Sequence, residues 1–250
     1  MMNIQFAEKD GRLYIIEVNP RASRTVPFIS KASGVNLIDV AVKVWLGESL
    51  IQQGLVNKQT HIGEGKCHTG WAIKEAVFSF DRFVNVDPQL GPEMRSTGEV
   101  VGMGRTFGEA YAKSQASSGN ILPTKGRVII SVNKKDRATI VPIAKALQDL
   151  GFSILATRGT ARDLFDAGIL TDVVLKVHEG RPNIVDLIRA HKVDLIINTP
   201  MGFHATKSDD DIRTEAVRNK IPYTTTTSAA NAAVDAIRFL QRKEYTVREL

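Results

Sequence analysis

The sequence predicts an α/β protein: a parallel five-stranded sheet with helices on both faces, preceded by a smaller α+β portion. Two observations carry the sheet. Beyond residue 126, apolar runs alternate regularly with helical segments, and those runs are apolar throughout. Strands of that kind are buried on both faces, which is how a parallel sheet reads. A third observation marks the N-terminal portion. Asp10-Gly11 lies between two strand-like runs, a strong short signal for a hairpin.

The elements follow in order. "NIQFAEKD" and "RLYIIEV" make the hairpin over residues 3–18, and Pro20 stops its ladder. Helices are expected at 26–33 and 36–46. In the second, Leu37, Val40, Ala41, Val44 and Trp45 recur at helical spacing, and Gly47 closes the run. Residues 50–124 are less regular. "WAIKEAVFSF" reads as a strand with Ile73, Glu75 and Val77 on one face, "LGPEMRSTGEVVGMG" as glycine-rich and turn-forming, and "TFGEAYAKSQASS" as a short helix. A linker is expected at 117–126. The sheet strands then fall at 127–132, 152–156, 172–177, 193–199 and 222–226. Helices lie between and after them, at 139–150, 160–167, 183–190, 209–219 and 228–241. Pro142 would break a helix interior, so the first of these helices is started at Thr139, with the proline in its first turn. In "SDDDIRTEAVRNK" acids lead and Arg218 and Lys220 trail, as the helix dipole favours.

Composition narrows the class. A chain of 250 residues makes one large domain or two ordinary ones. With 43% apolar and 24% charged residues it is globular in type. No apolar run approaches the ~20 residues of a membrane span, and the N-terminus lacks the basic-then-apolar layout of a secretion signal. The single cysteine, Cys67, excludes an internal disulfide, and the expected compartment is the cytoplasm. The net charge of +6 is dispersed, and no basic block is interleaved with aromatics. That pattern disfavours nucleic acid and suits small phosphorylated ligands.

In an open parallel sheet, ligands bind beyond the carboxyl ends of the strands. The five strands deliver there, in turn, Ser131 and Asn133; Thr157 and Thr160 around Gly159; Lys176; Asn198 and Thr199; and Thr224 to Thr227. An edge of hydroxyls, amides and cations with few carboxylates suits a phosphate. Thr160 is expected to cap the following helix, with Asp163 three residues on, so that free backbone N–H groups point the same way. Gly159 would permit close approach of an anion. Singly, each threonine reads as a turn or cap residue; five strand ends in agreement read as an anion site. Other candidates read as structural. His178 has no evident partner, Cys67 no paired base, His61 and His68 are too isolated for zinc, and the acids at 209–211 read as a solvated helix start. At the end of the hairpin, Glu17 and Asn19 are two apart and face the same way. They offer oxygens that suit Mg²⁺, and Arg21 could meet a phosphate.

"IEVNPRASRTVPFISKASGV" resembles the closing motif of an ATP-grasp domain, the second one of the carbamoyl-phosphate synthase large chain. "KEAVFSFDRF" and "DPQLGPEMRSTGEVVGMGRTFGEAYAKSQ" are similar to the stretch that follows it in that family. "GRVIISV", "ATRGTA", "KVHEGRPNI" and "IINTP" resemble its C-terminal regulatory domain, which has the methylglyoxal-synthase-like, Rossmann-like fold. The resemblance covers essentially the whole chain. It implies three parts: the end of an ATP-grasp domain at 1–48, the remainder of the carbamoyl-phosphate synthetic unit at 49–118, and a methylglyoxal-synthase-like allosteric domain at 119–250. It implies metal ligation by Glu17 and Asn19, with Mg²⁺ or Mn²⁺ and ATP as cofactors, and a catalytic role for Arg21, with Arg24 a further position of the motif. It implies that Glu75 contacts an ornithine activator. Ser131, Arg137, Thr157, Thr160, Lys176, Asn198 and Thr199 would form the phosphate edge for a nucleotide effector, UMP or IMP. The implied partners are the remainder of the large chain and a glutamine amidotransferase small chain, in an oligomer, with no nucleic acid and no membrane.

The implied reaction is ATP-dependent phosphorylation of carbamate, in pyrimidine and arginine biosynthesis, with this chain as the last quarter of the synthase and inactive alone. Two positions depart from the bacterial pattern, which has lysine where Arg137 stands and threonine where Pro200 stands. Arginine keeps the charge and changes the geometry; proline removes a hydroxyl and an N–H. Methylglyoxal synthases need an aspartate in the loop after the third strand. Here that loop is "HEGRPN", with Arg181 near the matching place, so lyase chemistry is not expected. A stand-alone, non-catalytic effector-binding module is the alternative reading.

Overall fold

The computed structural model describes residues 1–56, 70–78, 94–199 and 207–242. His61, Cys67, His68 and Pro200 lie outside them. The described residues fall into two compact units, one holding residues 1–56 and the other the rest.

In the first unit, β1 (Asn3–Lys9) and β2 (Arg12–Asn19) pair antiparallel. Asp10 and Gly11 both have positive φ, 53° and 73°, the conformation a two-residue hairpin turn needs. The register slips between Gln5 (opposite Glu17) and Phe6 (opposite Ile15), which leaves Ile16 as a bulge. Helices α1 (Thr25–Ser33) and α2 (Leu37–Trp45) follow. Asn36 caps α2 by accepting from the N–H groups of Ile38 and Asp39 at 3.1 and 3.3 Å. The hairpin exposes apolar side chains on both faces, Leu13 and Ile15 on one and Tyr14 on the other, and Ile16 at the bulge is exposed as well.

In the second unit, β3 (Trp71–Val77) and β4 (Gly98–Gly104) form an antiparallel ribbon covered by α3 (Phe107–Ser117). The last seven residues of the stretch expected to be glycine-rich and turn-forming, Gly98–Gly104, are therefore a strand. Its glycines serve as a surface for the helix. A Cβ at Gly102 would collide with the carbonyl oxygen of Ala110 and lie 2.5 Å from the amide nitrogen of Ser114. Helix α3 also packs on α8 (Thr227–Arg242), where a Cβ at Gly108 would lie 2.5 Å from the Asp235 carbonyl oxygen. Residues 118–125 thus connect parts that pack together, and Leu122 in that segment is buried. The buried Glu109 is compensated: it accepts from the Arg105 N–H at 2.8 Å and pairs with Lys113 at 2.7 Å.

The sheet contains β5 (Gly126–Ser131), β6 (Phe152–Thr157), β7 (Asp172–Val174), β8 (Leu195–Asn198) and β9 (Tyr223–Thr224). All pairs are parallel, in the order β7-β6-β5-β8-β9. Five helices accompany it: α4 (Arg137–Asp149), α5 (Arg158–Asp166), α6 (Ile184–Arg189), α7 (Lys207–Arg218) and α8. Consecutive residues of β5 serve two cores. Val128 and Ile130 join Ile140, Leu147, Leu164 and Ile237, from α4, α5 and α8. Ile129 joins Ile184, Ile188, Ile212 and Ala216, from α6 and α7. This is why the run is apolar at every position; each such side chain contributes about 1.5–3 kcal/mol on full burial.

Several boundaries differ from the sequence expectation. Helix α4 starts at Arg137, after a 3₁₀ turn at Lys134–Asp136 capped by Asn133, so Pro142 sits in its second turn. The missing N–H leaves one carbonyl, that of Ala138, without its usual i→i−4 partner. Strand β7 ends at Val174, because Leu175 bridges to Asn183 and Lys176 leads into a 3₁₀ turn at Val177–Glu179. Arg189 joins α6 to α7 through Glu215 at 2.6 Å, and that bond holds the Glu215 carboxyl below the usual range although burial pushes it up. Among the described residues, no helix is long and apolar enough to cross a membrane.

Candidate anion-binding site

The strand order reverses direction about β5, with β6 and β7 on one side and β8 and β9 on the other. The crevice at the carboxyl ends beside such a reversal is where open α/β sheets bind ligands. Ser131 ends β5 directly opposite Asn198, which ends β8. From there a row of side chains runs in both directions. Thr157 Oγ1 lies 3.4 Å from both Ser131 Oγ and Thr160 Oγ1, and Thr160 Oγ1 accepts the Val132 N–H at 3.3 Å. On the other side, the Thr199 N–H donates to the Ser131 carbonyl at 3.2 Å, and Thr199 Oγ1 accepts from Asn133 N and Nδ2 at 3.1 and 3.2 Å. Thr157, Thr160, Asn198 and Thr199 are all buried. Contacts of 3.4 Å between hydroxyls are at the weak limit, so Ser131 and Thr157 keep most of their hydrogen-bonding capacity. Beyond β8, Thr224 is paired opposite Ile197, and its buried Oγ1 has no partner among the described residues.

The expected cap at Thr160 is corrected. Thr157 is the N-cap of α5, with φ −67° and ψ 149°, and its side chain makes no capping bond. Thr160 lies inside the first turn. Its hydroxyl is drawn to the Val132 N–H, just past the end of β5. The effect is to bring the helix start to the end of the strand. The first-turn N–H groups, which have no partner within a helix, then lie beside the hydroxyl row.

Arg137 opens α4 and reaches across to α5. Its Nη1 is 3.3 Å from Asp163 Oδ2, and its Nη2 occupies the place where a side chain on Gly159 would begin. Gly159 thus leaves room for the guanidinium to lie against the helix backbone. Lys176 is exposed and lies two residues past Val174, which pairs with Thr157, so its backbone reaches the same edge. Two acids were not legible as partners of this edge. Asp163 holds Arg137, and Asp209, read as part of a solvated helix start, accepts from Asn198 Nδ2 at 3.2 Å. Neither pairing leaves a sequence signal, because each joins segments distant in the chain.

Glu75 is placed elsewhere. It lies on β3, half-buried, and accepts from Gln115 Nε2 of α3 at 2.9 Å. Burial pushes its carboxyl up, and burial followed by the charge of Glu75 pushes the neighbouring Tyr111 up to about 12. In the first unit, Asn19 Nδ2 donates to Glu17 Oε1 at 2.9 Å, and the Arg21 N–H donates to the Asn19 carbonyl at 2.8 Å, with Glu17 and Arg21 exposed. Two oxygen-bearing side chains in contact at a strand end fit part of the donor set of a hard cation. Among the described residues, no three His, Cys, Asp or Glu cluster, so any such cation would take its remaining ligands from outside that set.

Two family models match the chain: the MGS-like domain over residues 139–225, and the ATP binding domain of the carbamoyl-phosphate synthase L chain over residues 1–53. The carbamoyl phosphate synthase large chain, C-terminal section, of Methanopyrus kandleri is 51% identical over 254 residues, which cover 99% of this chain and 46% of that protein. The chain belongs to the carbamoyl phosphate synthase large-chain family. The large chain of Gemmatimonas aurantiaca is 47% identical over 252 residues, 100% of this chain and 22% of its own. The chain therefore spans less than half the length of these relatives. A methylglyoxal synthase from Elizabethkingia anophelis overlays 52% of the chain with 15% identity and a TM-score of 0.38. Within the large-chain family, then, the buried hydroxyl row lies in the second unit, largely inside the MGS-like match, and the Glu17–Asn19 pair lies inside the ATP-binding match.

Proposed function

We propose that this chain carries the regulatory end of a carbamoyl phosphate synthase. The edge formed by Ser131, Arg137, Thr157, Thr160, Lys176, Asn198 and Thr199 binds the phosphate of a nucleotide effector, UMP or IMP. The N-terminal unit contributes Glu17, Asn19 and Arg21 to a MgATP site completed by the rest of the large chain, where carbamate is phosphorylated. A glutamine amidotransferase small chain supplies the nitrogen. Residues 1–48, 49–118 and 119–250 are the end of the ATP-grasp domain, the remainder of the synthetic unit and the allosteric domain. Glu75 belongs to the middle part and takes the cationic side chain of an activator, for which a half-buried carboxylate is suited.

The observation that carries the reading is the buried row of hydroxyls and amides at the sheet reversal, beside the start of α5. Buried polar groups with spare capacity favour a ligand that satisfies them. Exposed apolar faces on β1 and β2 support a hairpin that is one part of a larger sheet. Calorimetric titration with UMP and IMP tests the regulatory reading. One of them is expected to bind, and Lys176→Ala to weaken it roughly tenfold through loss of one cation near a dianion. Unchanged affinity would remove Lys176 from the site. The chain alone is expected to make no carbamoyl phosphate from ATP, bicarbonate and ammonia, and product formation by pure chain would refute that.

A further inference from the structure

One edge of the parallel sheet carries apolar side chains that the fold leaves bare. Strand β7 closes the sheet on that side and, among the described residues, pairs with β6 alone. Around it, Phe165 in the last turn of α5, Leu170 in the connection and Val173 in β7 are 72%, 77% and 60% exposed. The topology puts them on one side of the sheet. Val173 is opposite Ala156, which belongs to the core under α4, α5 and α8. Residues opposite each other in neighbouring strands project to the same face, so Val173 sits at the rim of the face that α5 covers. Ile169 is buried in that same core and pins the connection that carries Leu170. The other edge of the sheet has no such patch: in β9, Tyr223 is half-buried and Thr224 is buried.

We propose that this edge is where two copies of the chain associate, β7 against β7 about a two-fold axis, with Phe165, Leu170 and Val173 of each copy buried in the contact. Three features favour a second copy over another partner. A two-fold axis sets identical edge strands antiparallel, so each copy supplies what the other's outward backbone N–H and C=O groups lack. The exposed charges of residues 158–173 are Arg158, Arg162, Asp166 and Asp172, two of each sign. A strongly acidic or basic partner gains nothing from that balance, whereas a second copy offers both signs to both signs. The edge is also unguarded. Residues 165–174 contain no proline and no lysine, the residues that commonly block such pairing. A strand of three residues makes few backbone bonds, so the three apolar side chains carry most of the contact. The proposal is independent of the phosphate reading of the neighbouring edge.

The test is sedimentation velocity on the full chain across a concentration series. A monomer–dimer equilibrium is expected, and Leu170→Glu and Val173→Lys are each expected to raise its dissociation constant at least roughly tenfold. Leu170 is in a connection and largely exposed, so Leu170→Glu should keep the circular dichroism spectrum and melting temperature of the unaltered chain. Leu13→Lys, on the exposed hairpin of the first unit, is the control and should leave the dimer unchanged. Hydrogen exchange in the β7 segment is expected to slow as the concentration of the unaltered chain rises, and not to do so in Leu170→Glu. A chain that is monomeric throughout the series overturns the proposal and leaves the edge to a different occupant, such as the remainder of the large chain. A dimer that survives both Leu170→Glu and Val173→Lys overturns it as well, and so does one lost equally in Leu13→Lys.

Discussion

Gly102→Ala is expected to destabilise the second unit by about 3 kcal/mol, at the upper end of the usual cost of overpacking. The added methyl would meet the carbonyl oxygen of Ala110 and the amide nitrogen of Ser114, both in the backbone of α3. A flexible side chain could move aside; a helix backbone cannot do so without leaving its own hydrogen bonds. Helix α3 also holds α8 through the contact of Gly108 with the Asp235 carbonyl, so displacing α3 disturbs the helix that covers one face of the sheet. In a unit of this size the melting temperature should fall by roughly 6–12 °C. Gly98→Ala is the control. On the same strand, a methyl there would meet only the Val77 side chain, at 3.8 Å, and thermal unfolding by circular dichroism should show almost no change. Equal melting temperatures for Gly102→Ala and Gly98→Ala would mean that α3 does not lie on β4 as described.

The second large effect separates two threonines that look equivalent in "TRGT". Thr160→Val is expected to cost both stability and anion binding. Its hydroxyl is the partner of the buried Val132 N–H, and an unsatisfied buried donor costs about 1–3 kcal/mol. Thr157→Val should leave stability within about 0.5 kcal/mol, because its hydroxyl makes only two contacts of 3.4 Å, while weakening UMP or IMP by at least roughly tenfold. Denaturant unfolding and calorimetry on the same two variants read the two quantities separately. If both variants keep full affinity, the hydroxyl row is a structural seam between β5 and α5 and the effector site lies elsewhere.

Much of this architecture was legible in the chain. The βα alternation predicted the parallel sheet, and the polar residues closing each apolar run predicted the edge that now carries Ser131, Thr157, Asn198 and Thr199. Those signals are local: strand burial dictates composition, and a strand end is visible where the apolar run stops. The ribbon strand at Gly98–Gly104 was not legible, because glycine is the same letter whether it turns a chain or admits a helix. Helix α3 was read as a helix, but nothing in it announced burial, since Glu109, Ser114 and Gln115 go inside with partners supplied by other segments.

By itself, then, the sequence determined the sheet, its two covered faces, the Asp10-Gly11 hairpin and the polar character of the edge at the carboxyl ends of the strands. Tertiary structure decided how that edge is set. It made Thr157 the N-cap of α5 and gave the Thr160 hydroxyl to Val132, and it laid Arg137 over Gly159 with Asp163 as its partner. Periodicity and composition report a residue's own preference for water or burial. A hydrogen bond or ion pair between segments depends on where the packed sheet brings two distant atoms, and only folding supplies that distance.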